Sequence, residues 1–293
     1  MRELPPGNVE AFAQRLGAMR PKLHRYCARM TGSSIDGEDV VQETMIKAIE
    51  AFPLAGDIAN VEAWVFRIAH NSALDLLRRR ARQEEWLSEE DAEAIADPGI
   101  DMEHHLALAA NLRTFMRLRP GPRAAVILMD VLGYSLQEIS AVLDASIASV
   151  KAALNRGRTQ LREIAGETIA TLPPVLDPAE QRQLALYVER FNAHDFDAIR
   201  ALLAEDVRLD LVNRAHWQGR TPVSRYFSNY DGAEDWRLAV GTVEGKPAII
   251  VTDPGGAPMY FVRIDWRDGQ IARIHDFRYA RYVMEGAEVM RLA

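Results

Sequence analysis

The chain has 293 residues, 48% of them hydrophobic, and a formal net charge of -7. This length predicts about two domains, and the apolar content is sufficient for them to form packed cores. The single cysteine, Cys27, excludes an intramolecular disulfide and favours a reducing compartment.

No targeting or membrane-spanning segment is evident. The start, MRELPPGNVEAF, lacks the charged residues followed by an apolar run that mark a signal peptide. No apolar stretch approaches the length that crosses a bilayer. We therefore expect a cytoplasmic protein that does not bind membranes.

Positive charge is concentrated in two places despite the acidic total. One cluster is Arg78, Arg79, Arg80 and Arg82, and the other runs from Lys151 to Arg162. The segment between them is acidic, particularly from Glu84 to Glu93. Since the distribution of charge matters more than its sum, a nucleic-acid partner remains compatible with the composition.

The first two predicted elements are amphipathic helices. Apolar residues recur at helical spacing from Val9 to Met30 and predict one long helix that tolerates Pro21 and ends at Thr31. A second helix is predicted to begin at the potential cap Asp36. Its buried face comprises Val41, Met45, Ala48 and Phe52, and its polar face comprises Asp39, Gln42, Glu43 and Lys47.

The third predicted helix, VEAWVFRIAHNSALDLLRRRAR, has two distinct faces. Its inner face comprises Val65, Ile68, Ala69, Ser72 and Leu76, and another face comprises Trp64, Arg67, Asn71, Leu74 and Arg78. A Trp, an Asn and several Arg on one face suit stacking on unpaired bases and neutralisation of phosphates.

A helix-turn-helix is predicted between Leu132 and Leu161. Ser135 and Glu138 form a capping-box pair that opens the first helix. Asp144 follows that helix, at a position where Asp tolerates a left-handed conformation. Ser146 can cap a second, basic helix, which in such units enters the major groove. The alternative is an ordinary helical hairpin with a solvated cationic face.

The remainder of the chain predicts a separate α+β domain. The Pro-rich segment TLPPVLDPAE indicates a stiff linker. Two helical patterns, one strand and a short helix then precede the strand-like runs DWRLAVGTVEG, KPAIIVTD, PMYFVRIDWRDG and QIARIHDFRYA. This order predicts a curved antiparallel sheet wrapped on helices.

The motifs GEDVVQETMIKA, VEAWVFRIAHNSALDLLRRR and GYSLQEISAVLDASIASVKAALNRGRTQLRE, in this order, resemble the two domains of a bacterial RNA polymerase sigma factor of the extracytoplasmic-function group. The resemblance implies binding to core RNA polymerase, through its beta-prime coiled coil and beta flap, and to promoter DNA. It implies polymerase contacts at Asp39, Gln42, Glu43 and Lys47.

The same resemblance implies two DNA-binding sets. The set for the minus-ten element is Asp57, Asn60, Trp64, Arg67, Asn71, Arg78, Arg79 and Arg80. The set for the minus-35 element is Ser146, Ser149, Lys151, Ala152, Asn155, Arg156 and Arg158. For each single residue, a solvated helix face is the alternative reading.

The C-terminal motifs FNAHDFDAIRALLAEDV and IHDFRYARYV resemble the SnoaL-like branch of the nuclear transport factor 2-like superfamily, whose cone-shaped sheet encloses a pocket. The resemblance implies a small hydrophobic ligand. The candidate pocket groups are Asp210, Trp217, Tyr226, Tyr260, Arg263, His275 and Asp276. No metal-ligand spacing is visible, and no metal, cofactor or catalytic residue is expected.

The expected architecture is multidomain, with two all-α sigma domains, a helical bundle and a helix-turn-helix, followed by an α+β cone-shaped SnoaL-like domain. The predicted boundaries are 8–82 for sigma region 2, 83–105 for an acidic linker, 106–166 for sigma region 4, 167–177 for a Pro-rich linker and 178–293 for the SnoaL-like domain.

The leading hypothesis is a non-enzymatic sigma factor that directs promoter-specific initiation and is regulated in cis by its C-terminal domain. A SnoaL-like enzyme of the isomerase, cyclase or hydrolase type, or a ligand sensor, fused to a DNA-binding module is the alternative. A one-component regulator acting without polymerase would leave the GEDVVQETMIKA helix without a role.

Overall fold

The computed structural model describes residues 9–84, 111–165, 177–230 and 236–292. Residues 85–105 of the predicted acidic linker and residues 167–176 of the Pro-rich linker lie outside the described ranges. The chain divides into two compact units, Met1–Ala170 and Thr171–Ala293. Within the described ranges, no helix is long and apolar enough to cross a membrane.

The N-terminal unit is helical. Its α-helices are α1 (Val9–Thr31), α2 (Ser34–Ala51), α3 (Val61–Glu84), α4 (Leu112–Met116), α5 (Pro120–Val126), α6 (Leu136–Leu143) and α7 (Ile147–Ala165). A 3-10 turn at Phe52–Leu54 follows α2, and a π-helical turn at Ile127–Val131 follows α5. One hydrophobic core joins these helices, with Phe12 stacked on Phe52 at a centroid separation of 4.1 Å.

The first helix ends at Thr31 as predicted, but the second begins earlier than the sequence suggested. Ser33, not Asp36, is the N-cap, and its side chain accepts a hydrogen bond from the Asp36 backbone. The two helices cross closely at Gly37, where an added Cβ would lie 2.6 Å from the Ala28 backbone. A buried ion pair between Arg20 and Glu38 links α1 to α2 near this crossing.

The predicted helix-turn-helix is present as α6 and α7. Both hydrogen bonds of the Ser135–Glu138 capping box form at the start of α6. Asp144 ends the helix in the left-handed region, with φ of 53°. Ser146 then accepts a hydrogen bond from the Ser149 backbone at 3.1 Å and opens α7.

The C-terminal unit is α+β, as predicted. Its helices are α8 (Pro178–Asn192), α9 (Phe196–Ala201) and α10 (Arg220–Phe227), with 3-10 turns at Ser228–Tyr230 and Arg281–Met284. Its strands are β1 (Leu203–Leu211), β2 (Ala215–Gln218), β3 (Arg237–Val243), β4 (Lys246–Thr252), β5 (Pro258–Arg267), β6 (Gln270–Asp276) and β7 (Val289–Arg291).

These strands form one seven-stranded sheet in the order β2-β1-β6-β5-β4-β3-β7. The meander from β3 to β6 is antiparallel, whereas β1 pairs with β6 in parallel. The strands β2 and β7 were not predicted, because with four and three residues they are too short to show a clear alternating pattern. One sheet face packs against α8 and α10 around Tyr187, Phe191 and Phe227.

Candidate functional site

The solvent-facing side of α7 carries most of the residues predicted to read the minus-35 element. Ser146, Ser149, Lys151, Ala152 and Arg156 are exposed, and Asn155 is half-buried. The opposite side of the helix, including Val150, Leu154 and Leu161, is buried in the core. The helix therefore presents small polar groups at its N-terminal end and cations further along, which is the distribution that groove binding requires.

Arg158, which was predicted to belong to the same set, is instead paired with a buried carboxylate. Its Nε and Nη2 donate to the two oxygens of Asp130 at 3.0 and 2.6 Å, and the Asp130 side chain is 2% exposed. Because leaving that buried carboxylate unpaired would be costly, Arg158 holds α7 against the π-helical turn. No local sequence pattern points to this partner, which lies 28 residues away.

Residues predicted for the minus-ten element line the start and the outer face of α3. Asp57, Arg67, Asn71, Arg78 and Arg79 are exposed. Asn60 caps the helix by accepting from the Ala63 backbone at 3.0 Å, and Trp64 is half-buried against Phe12. Two of the arginines bridge α3 to α2, through Arg79–Glu43 at 3.7 Å and Arg80–Asp36 at 2.6 Å.

The outer face of α3 also packs against the helix-turn-helix. Arg67 donates to the Ala141 carbonyl oxygen through Nε at 3.1 Å and Nη2 at 2.5 Å. The Phe66 and Tyr134 rings lie 5.3 Å apart, and the Tyr134 hydroxyl donates to Glu62 at 2.6 Å. The two helical regions that resemble separate sigma domains are thus joined through α3 and α6.

The polar face of α2 carries the four predicted polymerase contacts. Asp39 and Lys47 are exposed, Gln42 and Glu43 are half-buried, and Glu43 pairs with Lys47 at 2.6 Å. The same helix exposes apolar residues that were not predicted as contacts. Ile46 is 52% exposed and Ile49 is 37% exposed. They follow Asp39 and Gln42 by seven residues, or two helical turns, so a helical wheel could have identified them as an unburied apolar patch.

The C-terminal unit contains a cavity of about 350 Å³. Its lining residues are Leu211, Arg214, Ala215, Trp217, Tyr226, Asn229, Tyr230, Arg278 and Tyr279. Of the predicted pocket residues, Trp217 and Tyr226 contribute to this lining. Tyr260 is buried in the adjoining core. Both arginines and Tyr230 were missed, because the sequence does not show which loop residues converge at the mouth of the sheet.

A carboxylate lies behind the tyrosines of the cavity. Asp276 is fully buried, and it accepts hydrogen bonds from the Tyr226 hydroxyl at 2.5 Å and the Arg278 backbone at 2.8 Å. Burial raises the pKa of the Asp276 carboxyl, although the bond from Tyr226 opposes that change. Because Asp276 is not among the lining residues, it positions Tyr226 and does not contact the cavity itself.

Asp210, Arg263 and His275 do not line the cavity, contrary to the sequence prediction. Leu211 faces the cavity, so Asp210, the preceding residue of β1, projects from the opposite face of the sheet. There Asp210 contacts His275 at 2.6 Å, His216 at 2.7 Å and Arg273 at 2.6 Å.

Arg263 pairs with His275 across the β5–β6 ladder and so belongs to the same outer face. Burial alone would raise the pKa of the Asp210 carboxyl, but hydrogen bonds from His275, His216 and Arg273 lower it overall. Asp210 and His275 do converge, as a surface cluster and not as a pocket. In the described part of the chain, no group of three or more His, Cys, Asp or Glu side chains is arranged to hold a metal ion.

Three family models match successive parts of the chain. Sigma-70 region 2 matches residues 16–83, Sigma-70 region 4 matches residues 112–161, and the SnoaL-like domain matches residues 184–292. The fold and these matches define a sigma factor whose two helical regions precede a SnoaL-like domain.

The relatives are extracytoplasmic-function (ECF) sigma factors. The ECF RNA polymerase sigma factor SigG of Mycobacterium tuberculosis is 28% identical over 269 residues, covering 81% of this chain and 72% of SigG. SigM of the same species is 31% identical over 160 residues, covering 55% of this chain and 80% of SigM. The crystal structure of M. tuberculosis SigJ is 23% identical, with a TM-score of 0.36, and covers 90% of this chain and 95% of that one.

The chain belongs to the ECF RNA polymerase sigma factors. It is a sigma factor that binds core RNA polymerase and directs transcription initiation from specific promoters.

Proposed function

We propose that α2 binds the polymerase, that α3 binds the minus-ten element and that α7 reads the minus-35 element. The observation that carries this assignment is the exposed basic face of α7, with Lys151 and Arg156 next to the small residues Ser149 and Ala152. The working domains are 8–82 and 106–166, with a regulatory domain at 178–293. Arg158 is left out of the DNA-binding set because Asp130 holds it.

The DNA-binding assignment predicts a salt-dependent loss when the α7 cations are removed. In the polymerase holoenzyme, Lys151→Ala with Arg156→Ala is expected to weaken promoter binding at least about 10-fold and to reduce the salt slope by about two, because phosphate contacts release counterions. The control removes the same charge from the C-terminal unit, by Arg182→Ala with Arg225→Ala. Unchanged affinity and slope in the α7 variant would refute the assignment.

The polymerase assignment predicts that the exposed apolar patch of α2 contributes to binding. Ile46→Asp is expected to weaken the affinity for core polymerase by about 30-fold, since a charge at a buried apolar contact costs about 2 kcal/mol or more. Leu186→Asp is the control, because Leu186 is a helical residue, 39% exposed, in the C-terminal unit. The affinity of each variant for core polymerase is measured by fluorescence anisotropy with labelled sigma factor. Equal affinities would refute the assignment of α2 to the polymerase interface.

We further propose that the packing of α3 on α6 is a closed form that must open on the promoter. The minus-ten and minus-35 elements are about 25 base pairs apart, or about 85 Å at about 3.4 Å per base pair. Arg67 and the helix-turn-helix are in direct contact, so in this arrangement the two DNA-binding surfaces cannot reach both elements. Opening would also release Arg67 for DNA.

The SnoaL-like domain is proposed to regulate this opening as a sensor, not as an enzyme. Its buried carboxylate, Asp276, lies behind Tyr226 and is not in position to act on a molecule in the cavity. A small molecule in the cavity would shift the closed and open populations only by binding one of them more tightly. Promoter-directed initiation controlled in cis by this domain is thus the proposed function.

Run-off transcription with core polymerase tests the proposal on a pool of promoters from the source genome. The full-length protein and a truncation after Gly166 are compared. Specific transcripts from both forms, with different yields, are the expected result, and the direction of the difference gives the sign of control. Identical yields would refute regulation in cis, and no transcripts from either form would refute the assignment of the DNA-binding and polymerase-binding surfaces.

A further inference from the structure

The cavity of the C-terminal unit is positively charged. Its lining includes the guanidinium groups of Arg214 and Arg278, and none of its nine residues is acidic. Among the described residues, neither guanidinium forms an ion pair with a carboxylate within 4.0 Å. The Asp276 carboxylate interacts electrostatically with Arg278, but Asp276 is covered by Tyr226 and does not line the cavity. A ligand that enters therefore meets positive charge that an anion would complement.

The cavity walls are largely aromatic, and each arginine lies over an aromatic ring. The Arg278 guanidinium is 5.3 Å from the centre of the Tyr230 ring, and that of Arg214 is 5.5 Å from the centre of the Tyr279 ring. Trp217 and Tyr226 complete the aromatic part of the lining. Such walls favour a flat ligand, because aromatic rings pack by offset stacking or edge to face.

The hydroxyl protons of Tyr226 and Tyr230 are directed away from the cavity. Tyr226 donates its proton to Asp276, so in its 2.8 Å contact with Tyr230 it must accept. Both protons are thus used within the buried network that Asp276 organises. The remaining donors among the lining residues are the two arginines, the Tyr279 hydroxyl, the Asn229 amide and the Trp217 indole N–H, and Arg278 also hydrogen-bonds to Tyr230. These groups suit an acceptor-rich ligand.

We propose that this cavity binds a planar aromatic anion, with its carboxylate or phenolate between Arg214 and Arg278 and its ring against Trp217 and the tyrosines. The inference rests on the proposed sensory function and replaces the purely hydrophobic ligand expected from the sequence. A volume of about 350 Å³ suits a ligand of two or three fused rings. Arginine is also the side chain that best pairs with a carboxylate, through two parallel hydrogen bonds.

Isothermal titration calorimetry of the full-length protein with three naphthalene probes tests the ligand class by comparing their dissociation constants. The probes are 2-naphthoate, the neutral 2-naphthylmethanol and the cationic 2-naphthylmethylammonium, which share the ring and differ in charge. Naphthoate is expected to bind at least about 10-fold more tightly than the alcohol, since hydrogen bonds between a guanidinium and a carboxylate are roughly twice as strong as those between neutral groups. The ammonium probe is expected not to bind.

Arg214→Met and Arg278→Met are each expected to weaken naphthoate binding about 10-fold and to leave the alcohol unchanged. Arg214 is exposed, so its replacement should preserve the fold. The matched control is Arg182→Met, an exposed arginine on α8 outside the cavity lining. Equal affinities for the anion and the alcohol, an unaffected Arg214→Met variant, or no binding by any probe would each overturn the inference.

Different measurements test the proposed ligand class and the proposed regulatory function, so each can be refuted separately. Naphthoate binding that needs both arginines but leaves run-off transcription unchanged would refute the sensory function while keeping the ligand class. A difference between full-length and truncated protein in transcription, without binding of any probe, would refute the ligand class alone.

Discussion

Replacing Glu38 by Leu is expected to lower the free energy of unfolding of the N-terminal unit by about 3–5 kcal/mol. Glu38 is 3% exposed, and Arg20 of α1 is 7% exposed. The Arg20 Nε donates to the Glu38 carboxylate at 3.0 Å, and a second guanidinium nitrogen donates to the same oxygen. The single substitution would leave the guanidinium buried without its carboxylate, and desolvation of that charge makes the loss large.

A second substitution separates this effect from lost packing. Arg20→Met with Glu38→Leu replaces the ion pair by apolar side chains of similar volume and is expected to recover most of the stability. Asp75→Asn is the control, because the Asp75–Arg78 pair is solvent-exposed and contributes less than about 1 kcal/mol.

Urea denaturation, followed by ¹⁹F NMR of 5-fluorotryptophan at Trp64, reports the N-terminal unit separately from the C-terminal tryptophans. If Glu38→Leu costs no more than Asp75→Asn, the pair does not stabilise the contact between α1 and α2. A double variant as unstable as the single one would show that packing and not charge accounts for the loss.

The parts of the fold that were predictable are those encoded by neighbouring residues. Helix α1 has apolar residues at helical spacing up to Thr31, and it ends there. The Ser135–Glu138 pair and the left-handed Asp144 are local hydrogen-bonding and backbone preferences, and both appear as expected. Asp36 is also a residue type that caps helices, but it lies within α2. Ser33 has the extended, non-helical backbone conformation that an N-cap requires.

The candidate pocket was predictable only in part, because it depends on which face of a strand each side chain occupies. The alternation Leu209–Asp210–Leu211 already indicates that Asp210 faces away from the core. This alternation can be read from the sequence. It is stronger evidence for the orientation of Asp210 than the presence of an Asp and a His in one domain is for a shared pocket. Arg214 lies between β1 and β2, and Arg278 follows β6. They line one cavity because these three strands are neighbours in the sheet, which local sequence patterns do not show.

Contacts between distant segments account for the remaining differences in the N-terminal unit. Arg158 lies at the edge of the buried stripe of α7, where a helical wheel permits either a solvent-facing or a paired guanidinium. Its partner Asp130 decides between them. The bond from Arg67 to Ala141 likewise spans 74 residues, and no local signal predicts that an arginine assigned to the minus-ten set would contact the helix-turn-helix.

Acidification from pH 7 to pH 4 is expected to destabilise the N-terminal unit by about 3 kcal/mol through His70 alone. His70 lies on α3, and its Nδ1 shares a hydrogen bond of 2.7 Å with the buried Tyr26 hydroxyl. Burial, and secondarily the positive charge of Arg78, lowers the pKa of His70 from 6.5 to about 4. Burial also raises the pKa of Tyr26, so its hydroxyl stays protonated and uncharged across this pH range.

The direction follows from which state binds the proton. Between pH 6.5 and about 4, the unfolded chain carries a protonated His70 while the folded protein keeps it neutral. The stability due to this group is therefore complete above pH 6.5, declines as the pH falls towards 4, and changes little below that. At about 1.36 kcal/mol per unit of pKa, the decline amounts to about 3 kcal/mol.

The contribution of His70 is isolated by comparing the pH dependence of the wild type with that of His70→Gln, whose amide oxygen can still accept from Tyr26. The variant should lose the part of the decline between pH 6.5 and 4, measured by the same urea denaturation and Trp64 signal. His194→Asn is the control, because His194 is exposed and adopts a positive φ that Asn tolerates. Parallel curves for His70→Gln and the wild type would mean that burial does not lower the pKa of His70 in the folded protein.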